Sequence, residues 1–269
     1  MSIITISRGT FSGGKELAER LAAELGYPCL SREVFAEAAE EYGVSQAALQ
    51  AAITQAPTIM DRLRRDRNRY LAFIRAVLCQ HASKGQLIYH GNAGHHLLAG
   101  VRHVLRVRVV ADTTYRIKAA MQQLNMTSRQ AEHYISKVDG ERRKWTQFLY
   151  GVEWDDASNY DVVLNLEYMG IPGAVSTVVR MVQLEAFQPT EESKTTMENL
   201  TLASLVNARL AQDKRTNDAD FIVRARNGVV TIEGVVRLAE TADAALDVAR
   251  GVPGVKDVVG QVAPTGYPV

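Results

Sequence analysis

The sequence predicts an α/β protein, in which a parallel sheet is flanked by helices, followed by a small α+β domain. Three observations support this prediction. Over residues 1–187, short apolar runs alternate with longer segments of helical periodicity, as in sheets whose parallel strands are joined by helices. A glycine-rich segment lies between the first strand and the first helix. Near the C terminus, two β-rich runs flank Asn227-Gly228, which is a strong hairpin signal.

The first domain, residues 1–187, alternates strands and helices along the chain. We predict strands at 3–6, 86–91, 103–111 and 160–166. Apolar residues at helical spacing predict helices at about 15–25, 32–42, 45–55, 59–83, 113–124, 128–138, 141–150 and 171–187.

The remaining residues predict a linker and a second domain. Residues 188–197 are polar, include Pro189 and lack apolar periodicity, so we interpret them as a linker. Residues 198–269 follow the order αββαβ, with the hairpin between two helices and a last strand.

The composition is that of a folded globular protein. Of 269 residues, 46% are hydrophobic and 23% charged, which excludes a disordered, collagen-like or coiled-coil chain. The net charge of +1 gives no general reason to expect nucleic acid or a membrane surface as partner. The two cysteines form no CxxC pair, and no segment reaches the roughly 18 apolar residues that span a bilayer. We therefore expect a cytoplasmic protein.

The most informative motif is G-x-x-x-x-G-K between the first strand and the first helix. Its residues are Gly9, Thr10, Phe11, Ser12, Gly13, Gly14 and Lys15. In such a loop, backbone N–H groups and the helix N-terminus surround phosphate oxygens, and the lysine reaches the terminal phosphates. The alternative is a glycine-rich turn with an exposed lysine. The context predicts a phosphate-binding loop.

Glu16 follows the loop at the position where the common motif has a magnesium-binding Ser or Thr. A carboxylate there repels phosphate unless it turns outward or shares the metal. Two interpretations stay open. Either Mg²⁺ is held mainly by phosphates and water, or the loop binds nucleotide without efficient transfer.

A second basic set follows the third strand. Arg116 lies on the next helix, and residues 137–144 contain four cations, among them Arg142 and Arg143. Phosphoryl transfer requires positive charge around the moving group, so these three arginines are candidate catalytic residues. The alternative is a solvated helix face with internal ion pairs.

Several segments occur in the order seen in the cytidylate kinase-like family. They are ITISRGTFSGGKELAERLAAELGY, LIYHGNAGHHLL, ADTTYRIKAAMQ, residues 137–143 and NYDVVLNLEYMGIPGAV. The chain resembles this family, which is similar to the P-loop nucleoside monophosphate kinases, over about residues 1–185. The resemblance implies transfer of phosphate from ATP, with Mg²⁺, to a nucleoside monophosphate such as CMP. It assigns the donor phosphates to residues 9–15 and makes Glu16 typical of the family.

On the acceptor side the chain departs from the family pattern. Candidate substrate-binding residues are Ser31, Arg32, Gly91 and Asn92. The family usually carries an arginine after QLIY, where this chain has His90-Gly91-Asn92, and Leu30-Ser31-Arg32 lacks the aspartate of true cytidylate kinases. The acceptor is therefore left open: CMP, another nucleotide, another phosphorylatable group or none.

Three histidines raise the question of a metal site. His90, His95 and His96 are close in sequence, but adjacent histidines rarely ligate one ion without a nearby carboxylate or cysteine. We predict no metal ligands among them.

The C-terminal part resembles the BON domain over about residues 197–264. The matching residues are Ile222-Val223, Asn227–Gly234 and Val252–Val255. The resemblance implies binding of a lipid or another protein, without catalysis. The alternative is a module that tethers the first domain or supports a homo-oligomer.

Two functions of different classes follow. One is a nucleoside monophosphate kinase that uses Lys15 and the three arginines. The other is a nucleotide-sensing protein, whose loop domain shifts the BON-like module between partners.

Overall fold

A five-stranded parallel sheet forms the first half of the fold. The computed structural model describes residues 2–54, 61–91 and 94–265. The strands are β1 (Ile3–Arg8), β2 (Cys29–Leu30), β3 (Leu87–Tyr89), β4 (Val104–Val110) and β5 (Val162–Asn165). Their order is β2-β3-β1-β4-β5. β1 is therefore central, and the chain adds β2 and β3 on one side of it and β4 and β5 on the other. The carboxyl end of β1 is thus at the topological switch point, where open α/β sheets bind ligands.

Helices connect these strands and follow the last of them. They are α1 (Gly14–Leu25), α2 (Glu33–Tyr42), α3 (Gln46–Thr54), α4 (Asp61–Ser83), α6 (Thr113–Leu124), α7 (Ser128–Tyr150) and α8 (Leu166–Val182), with the four-residue α5 at Gly94–Leu97. Apolar side chains of β1, β4, α1 and α8 share one buried core. This packing explains why the central strands are almost continuous hydrophobic runs.

The second sheet has three strands and mixed pairing. Its elements are α9 (Glu191–Gln212), β6 (Phe221–Arg226), β7 (Val229–Val236), α10 (Ala239–Arg250) and β8 (Asp257–Pro264). β6 and β7 are antiparallel, whereas β8 pairs with β7 in parallel. Asn227 and Gly228 both have positive φ, 53° and 91°, as the two central residues of a type I′ hairpin require. The predicted fold classes of both parts and the αββαβ order are confirmed.

By their contacts, the described residues fall into two compact units. One holds the residues up to Glu33 and those from Gly85 to Thr190, which include the whole parallel sheet. The other holds Val34–Ala52, most of α4 and everything from Glu191 onward. In this second unit α4 packs along α9, where the Thr201 hydroxyl donates to the Cys79 carbonyl at 3.3 Å. The helical segment between β2 and β3 therefore clusters with the C-terminal part of the chain.

The structure differs from the sequence prediction in several elements. Residues 191–197 of the linker predicted at 188–197 are helical, because α9 begins at Glu191 and buries Ser193 and Met197. The helices predicted at 128–138 and 141–150 are one helix, α7, which continues through Gly140. The two-residue β2 was not predicted, since a pair of residues carries no periodic signal. None of the described helices has an apolar run long enough to cross a bilayer.

The core of the second unit gives a stability test. Ile232 on β7 is fully buried, whereas Ile222 on β6 is 56% exposed. We expect Ile232→Ala to lower the free energy of unfolding by about 2–5 kcal/mol through cavity formation. Ile222→Ala, the matched control, should change it by less than about 1 kcal/mol. Urea denaturation of the full chain measures both, and equal losses would contradict this core assignment.

Candidate functional site

The glycine-rich loop turns the chain from β1 into α1. Gly13 has φ 85°, a left-handed conformation that glycine adopts without strain, and α1 begins at the next residue. The Ser12 amide and hydroxyl both donate to the Gly9 carbonyl, at 3.2 and 2.9 Å. These bonds close the loop into a compact turn at the N-terminus of α1, where the first backbone N–H groups have no partner within the helix. The loop therefore ends at the N-terminus of a 12-residue helix, a position that favours anions.

The neighbours of the loop crowd two of its glycines. A Cβ on Gly9 would lie 3.2 Å from the Arg116 Cζ, and one on Gly13 would lie 2.9 Å from a methyl group of Leu166. Gly9 is thus a close-approach position for a guanidinium. A larger residue at position 9 would push the Arg116 guanidinium away from the loop.

A buried carboxylate, Asp139 on α7, joins the loop to two of the candidate arginines. Its Oδ1 accepts from the Thr10 amide at 3.1 Å and from the Thr10 hydroxyl at 2.6 Å. Its Oδ2 forms an ion pair with Arg116, while Arg142 approaches Oδ1 at 3.4 Å. Asp139 was not predicted as a site residue.

Both arginines also contact the loop directly. The Arg116 Nε donates to the Thr10 carbonyl at 2.7 Å. The Arg142 Nη1 donates to the Arg8 carbonyl at 3.1 Å and to the Thr10 hydroxyl at 3.0 Å. Elements far apart in the sequence therefore bring two cations to the loop, as the candidate assignment of Arg116 and Arg142 requires.

The charges in this cluster are largely buried. The side chains of Arg116, Asp139 and Arg142 are 14%, 5% and 19% exposed. Burial by itself would raise the pKa of Asp139, but hydrogen bonds from Thr10 and the charge of Arg116 hold that pKa below its ordinary value. Burial lowers the pKa of Arg142 despite the opposing charge of Asp139. The carboxylate is thus ionised at neutral pH and partly offsets two buried cations.

Arg143 occupies a different environment from its neighbour Arg142. It forms an ion pair with Asp155 and is 49% exposed. Asp155 also accepts from Arg108 at 2.8 Å, and the Arg108 guanidinium lies 3.7 Å from the ring centre of Trp154. Of the two adjacent arginines, the structure brings Arg142 to the loop and pairs Arg143 with Asp155.

Lys15 and Glu16 lie exposed at the first turn of α1. The Lys15 Nζ is 3.5 Å from Glu19, one turn along the helix, and its side chain is 70% exposed. Glu16 lines an open groove of about 780 Å³ between α1 and α8, together with Arg20, Glu24 and Arg180. The Glu16 side chain is therefore exposed and faces a groove that carries both arginines and glutamates.

Near the ends of β2 and β3, an arginine that was not predicted as a site residue, Arg8, contacts His90. The Nη1 of Arg8, the last residue of β1, donates to both the Nδ1 and the carbonyl of His90, each at 2.7 Å. Arg32 lies close enough for its charge to lower the pKa of Arg8. The Ser31 amide donates to Glu33 at 2.6 Å, and Gly91 follows directly after His90. Asn92, the fourth candidate, lies outside the described residues.

Burial keeps the three candidate metal-site histidines neutral. It lowers the pKa of His95 to about 3 and that of His96 to about 4, while burial and the Arg8 charge lower that of His90 to about 4. His95 and His96 contact each other through their rings, with centres 3.9 Å apart. Within the described ranges, no three histidine, cysteine or acidic side chains are grouped as metal ligands would be.

Comparison with known proteins agrees with this geometry. The family model described as "Cytidylate kinase-like family" matches residues 3–168. The chain belongs to the cytidylate kinase-like family. Residues 3–168 thus form a kinase-like nucleotide-binding domain, and the model of the BON domain matches residues 199–263.

Two relatives illustrate the similarity of this family member to known proteins. A protein named cytidylate kinase from Ignicoccus hospitalis is 29% identical over 185 residues, which cover 67% of this chain and 99% of the relative. The crystal structure of an uncharacterized protein from Eubacterium ventriosum superposes with a TM-score of 0.54 at 17% identity, over 68% of this chain and 98% of the other. The second likeness is one of fold.

The buried carboxylate gives a prediction about acid stability. Because the folded-state pKa of Asp139 is below its ordinary value of about 3.9, ionised Asp139 stabilises the fold above that pH, and this contribution is lost as the pH falls through the lower folded value. Asp139→Asn should lower the free energy of unfolding at pH 7 by about 3–5 kcal/mol, since it leaves buried cations unpaired. It should also flatten the acid dependence of unfolding.

Chemical denaturation between pH 3 and pH 7 measures both effects. Glu132→Gln, at an exposed position of the same helix, is the matched control and should behave like the wild type. An Asp139→Asn protein with wild-type stability and wild-type acid dependence would contradict the role of Asp139.

Proposed function

We propose that the protein transfers the γ-phosphoryl group of ATP to a nucleoside monophosphate, with a CMP-like acceptor. The observation that carries this proposal is the convergence of Arg116 and Arg142 on Thr10 of the loop. This loop lies between the carboxyl end of β1 and the N-terminus of α1. A phosphate loop alone would suit many nucleotide-binding proteins, whereas added guanidinium groups are suited to the charge of a transferring phosphate.

The reaction needs positioning and charge more than covalent chemistry from the protein. An oxygen of the acceptor phosphate forms a bond to the γ-phosphorus, while the bond from that phosphorus to the β,γ-bridging oxygen breaks, and ADP leaves with the electron pair. The loop amides and Lys15 would hold the donor phosphates. Arg116 and Arg142 would stabilise the three equatorial oxygens of the moving group. Asp139 would orient both guanidinium groups.

Mg²⁺ would accompany ATP, and it would neutralise charge on the β- and γ-phosphates when bound. Magnesium commonly keeps several waters and takes most of its other ligands from substrate phosphates. The residues present fit that mode, because Glu16 follows the loop at the position where the common motif has a hydroxyl ligand, and its carboxylate lines an open groove. Within the loop, the Thr10 hydroxyl donates to Asp139.

A nucleotide-sensing function is a second candidate, supported by the contact between Asp139 and the loop. The carboxylate accepts a hydrogen bond from the Thr10 amide. Phosphate groups accept from backbone amides of such loops as well, so a bound nucleotide would compete with Asp139 for this donor. Binding of a nucleotide that rearranged this contact would change the packing of α7, and the BON domain would then respond by binding a lipid or protein partner. This candidate requires ATP binding without transfer.

Lys15 gives the first test of the kinase proposal. Purified protein with ATP and Mg²⁺ is assayed against CMP, dCMP, UMP, AMP and GMP, and Lys15→Ala should lower turnover at least about 100-fold by removing a cation from the transferring phosphate. Lys118→Ala, at an exposed position of α6, is the control and should retain activity. ATP binding that depends on Lys15, with no transfer to any acceptor, would favour sensing over catalysis.

The adjacent arginines of α7 give a second, internally matched test. Arg142→Gln should reduce kcat by about 10²–10³-fold, because Arg142 contacts the loop. Arg143→Gln should reduce it by less than about tenfold, because Arg143 is half-exposed and pairs with Asp155. Steady-state kinetics with the best acceptor measures both, and a larger effect at Arg143 would refute this division of roles.

A further inference from the structure

Arg8 lies beside the phosphate loop, although it is not part of the loop motif. It is the last residue of β1, and its aliphatic carbons pass directly over Gly14, where an added Cβ would lie 2.7 Å from both the Cβ and the Cδ of Arg8. A side chain at position 14 would displace this stem. The second glycine of the Gly13-Gly14 pair thus gives Arg8 its path across the start of α1.

The guanidinium of Arg8 is held by neutral groups. In the part of the chain that the structure describes, its hydrogen bonds go to the Nδ1 and the carbonyl of His90. A guanidinium has no acceptor atoms, so Nδ1 accepts and the ring proton of His90 lies on Nε2. Burial keeps His90 neutral at physiological pH, with its pKa lowered to about 4. His90 therefore fixes the position of Arg8 without neutralising its charge.

The charges around Arg8 are predominantly positive. Burial and the charges of Arg142 and Arg32 lower its pKa to about 10, and at neutral pH it stays protonated. Lys15 is also close enough for its charge to lower the pKa of His90, whereas Glu33 opposes that effect. Such a group of cations gains most from an anion placed among them.

The remaining donors of Arg8 suit an anion with two oxygens. Of the five N–H groups of a guanidinium, the two on Nη1 are those bonded to His90. Nε and Nη2 form the side of the planar fork that binds a phosphate in two parallel hydrogen bonds. The stem that carries this fork crosses Gly14, and Nη1 of the same guanidinium meets His90, the residue after β3.

We propose that Arg8 binds the phosphate of the acceptor and that His90 is its positioning residue. This inference rests on the proposed kinase function and identifies a binding residue for the acceptor of that reaction. Arg8 thereby supplies a cation on the acceptor side, where the segment His90-Gly91-Asn92 has none. Its role would be to hold the acceptor phosphate against the γ-phosphoryl group while two like-charged groups approach.

Direct binding measurements test whether Arg8 binds the acceptor phosphate, independently of turnover. Titration calorimetry compares CMP, UMP, AMP and GMP with the corresponding nucleosides in the absence of ATP. At least one monophosphate should bind, its nucleoside should bind at least tenfold more weakly, and Arg8→Gln should remove that difference. Arg129→Gln, an exposed arginine on α7, is the control. Equal affinity of Arg8→Gln and wild type for the monophosphate, or no binding of any monophosphate by wild type, overturns the inference.

Kinetics distinguishes acceptor binding from donor binding. Arg8→Gln should raise the KM for the acceptor at least tenfold and leave the KM for ATP within about twofold. A rise confined to the KM for ATP would assign Arg8 to the donor and overturn the inference, while the kinase function would stand. Transfer to no acceptor, with monophosphate binding that still depends on Arg8, would refute the kinase function alone.

His90 is tested by a pair of substitutions. His90→Leu removes the Nδ1 atom to which Arg8 donates, and should raise the KM for the phosphate acceptor at least fivefold. His90→Asn places an amide oxygen near the same position and should return this KM most of the way to the wild-type value. Thermal unfolding of both variants separates this effect from a loss of stability. Two variants of equal stability that share one KM would show that His90 does not position Arg8.

Discussion

The geometry of the site depends on one interaction, the contact of the Asp139 carboxylate with Thr10. It ties α7 to the loop that follows β1, and the same carboxylate pairs with Arg116 on α6 and Arg142 on α7. Without an anion at this point, two buried guanidinium groups would face each other beside the positive end of α1, which would be costly. In the proposed function, Asp139 thus allows the positive charge that phosphoryl transfer needs to be assembled before a nucleotide is bound. Such preorganisation is a main source of electrostatic catalysis.

Two arginines beside the loop have different counter-charges, and the proposed roles follow from this difference. Arg142 lies against Asp139 and contacts the loop hydroxyl of Thr10, and we propose that it acts on the transferring phosphate. Arg8 is held by a neutral imidazole and a carbonyl, and we propose that its charge binds a substrate anion. The near-neutral net charge of +1 conceals this separation, because the surplus of positive charge is local.

The sequence predicted the fold class and the loop because both depend on local patterns. Strand and helix periodicity, the glycine spacing and the Asn-Gly turn are read within a few residues, and the structure confirms the fold they predict. Asp139 was missed because its main partner, Thr10, lies 129 positions away, and no local pattern reports that contact. Gly140 suggested a helix break, since glycine costs about 1 kcal/mol in a helix, but α7 continues through it. The choice between Arg142 and Arg143 depends on a rotation of about 100° around α7, which the sequence alone does not orient.

A double-mutant cycle between Thr10→Val and Asp139→Asn tests the central interaction most directly. Free energies of unfolding are measured at pH 7 for the wild type, both single variants and the double variant of the full chain. If the carboxylate and the loop hydroxyl stabilise each other, the two losses should be non-additive, with a coupling energy of at least about 1 kcal/mol. Losses that add within about 0.5 kcal/mol would show that the two groups act independently. That result would contradict the account of how this site is held together.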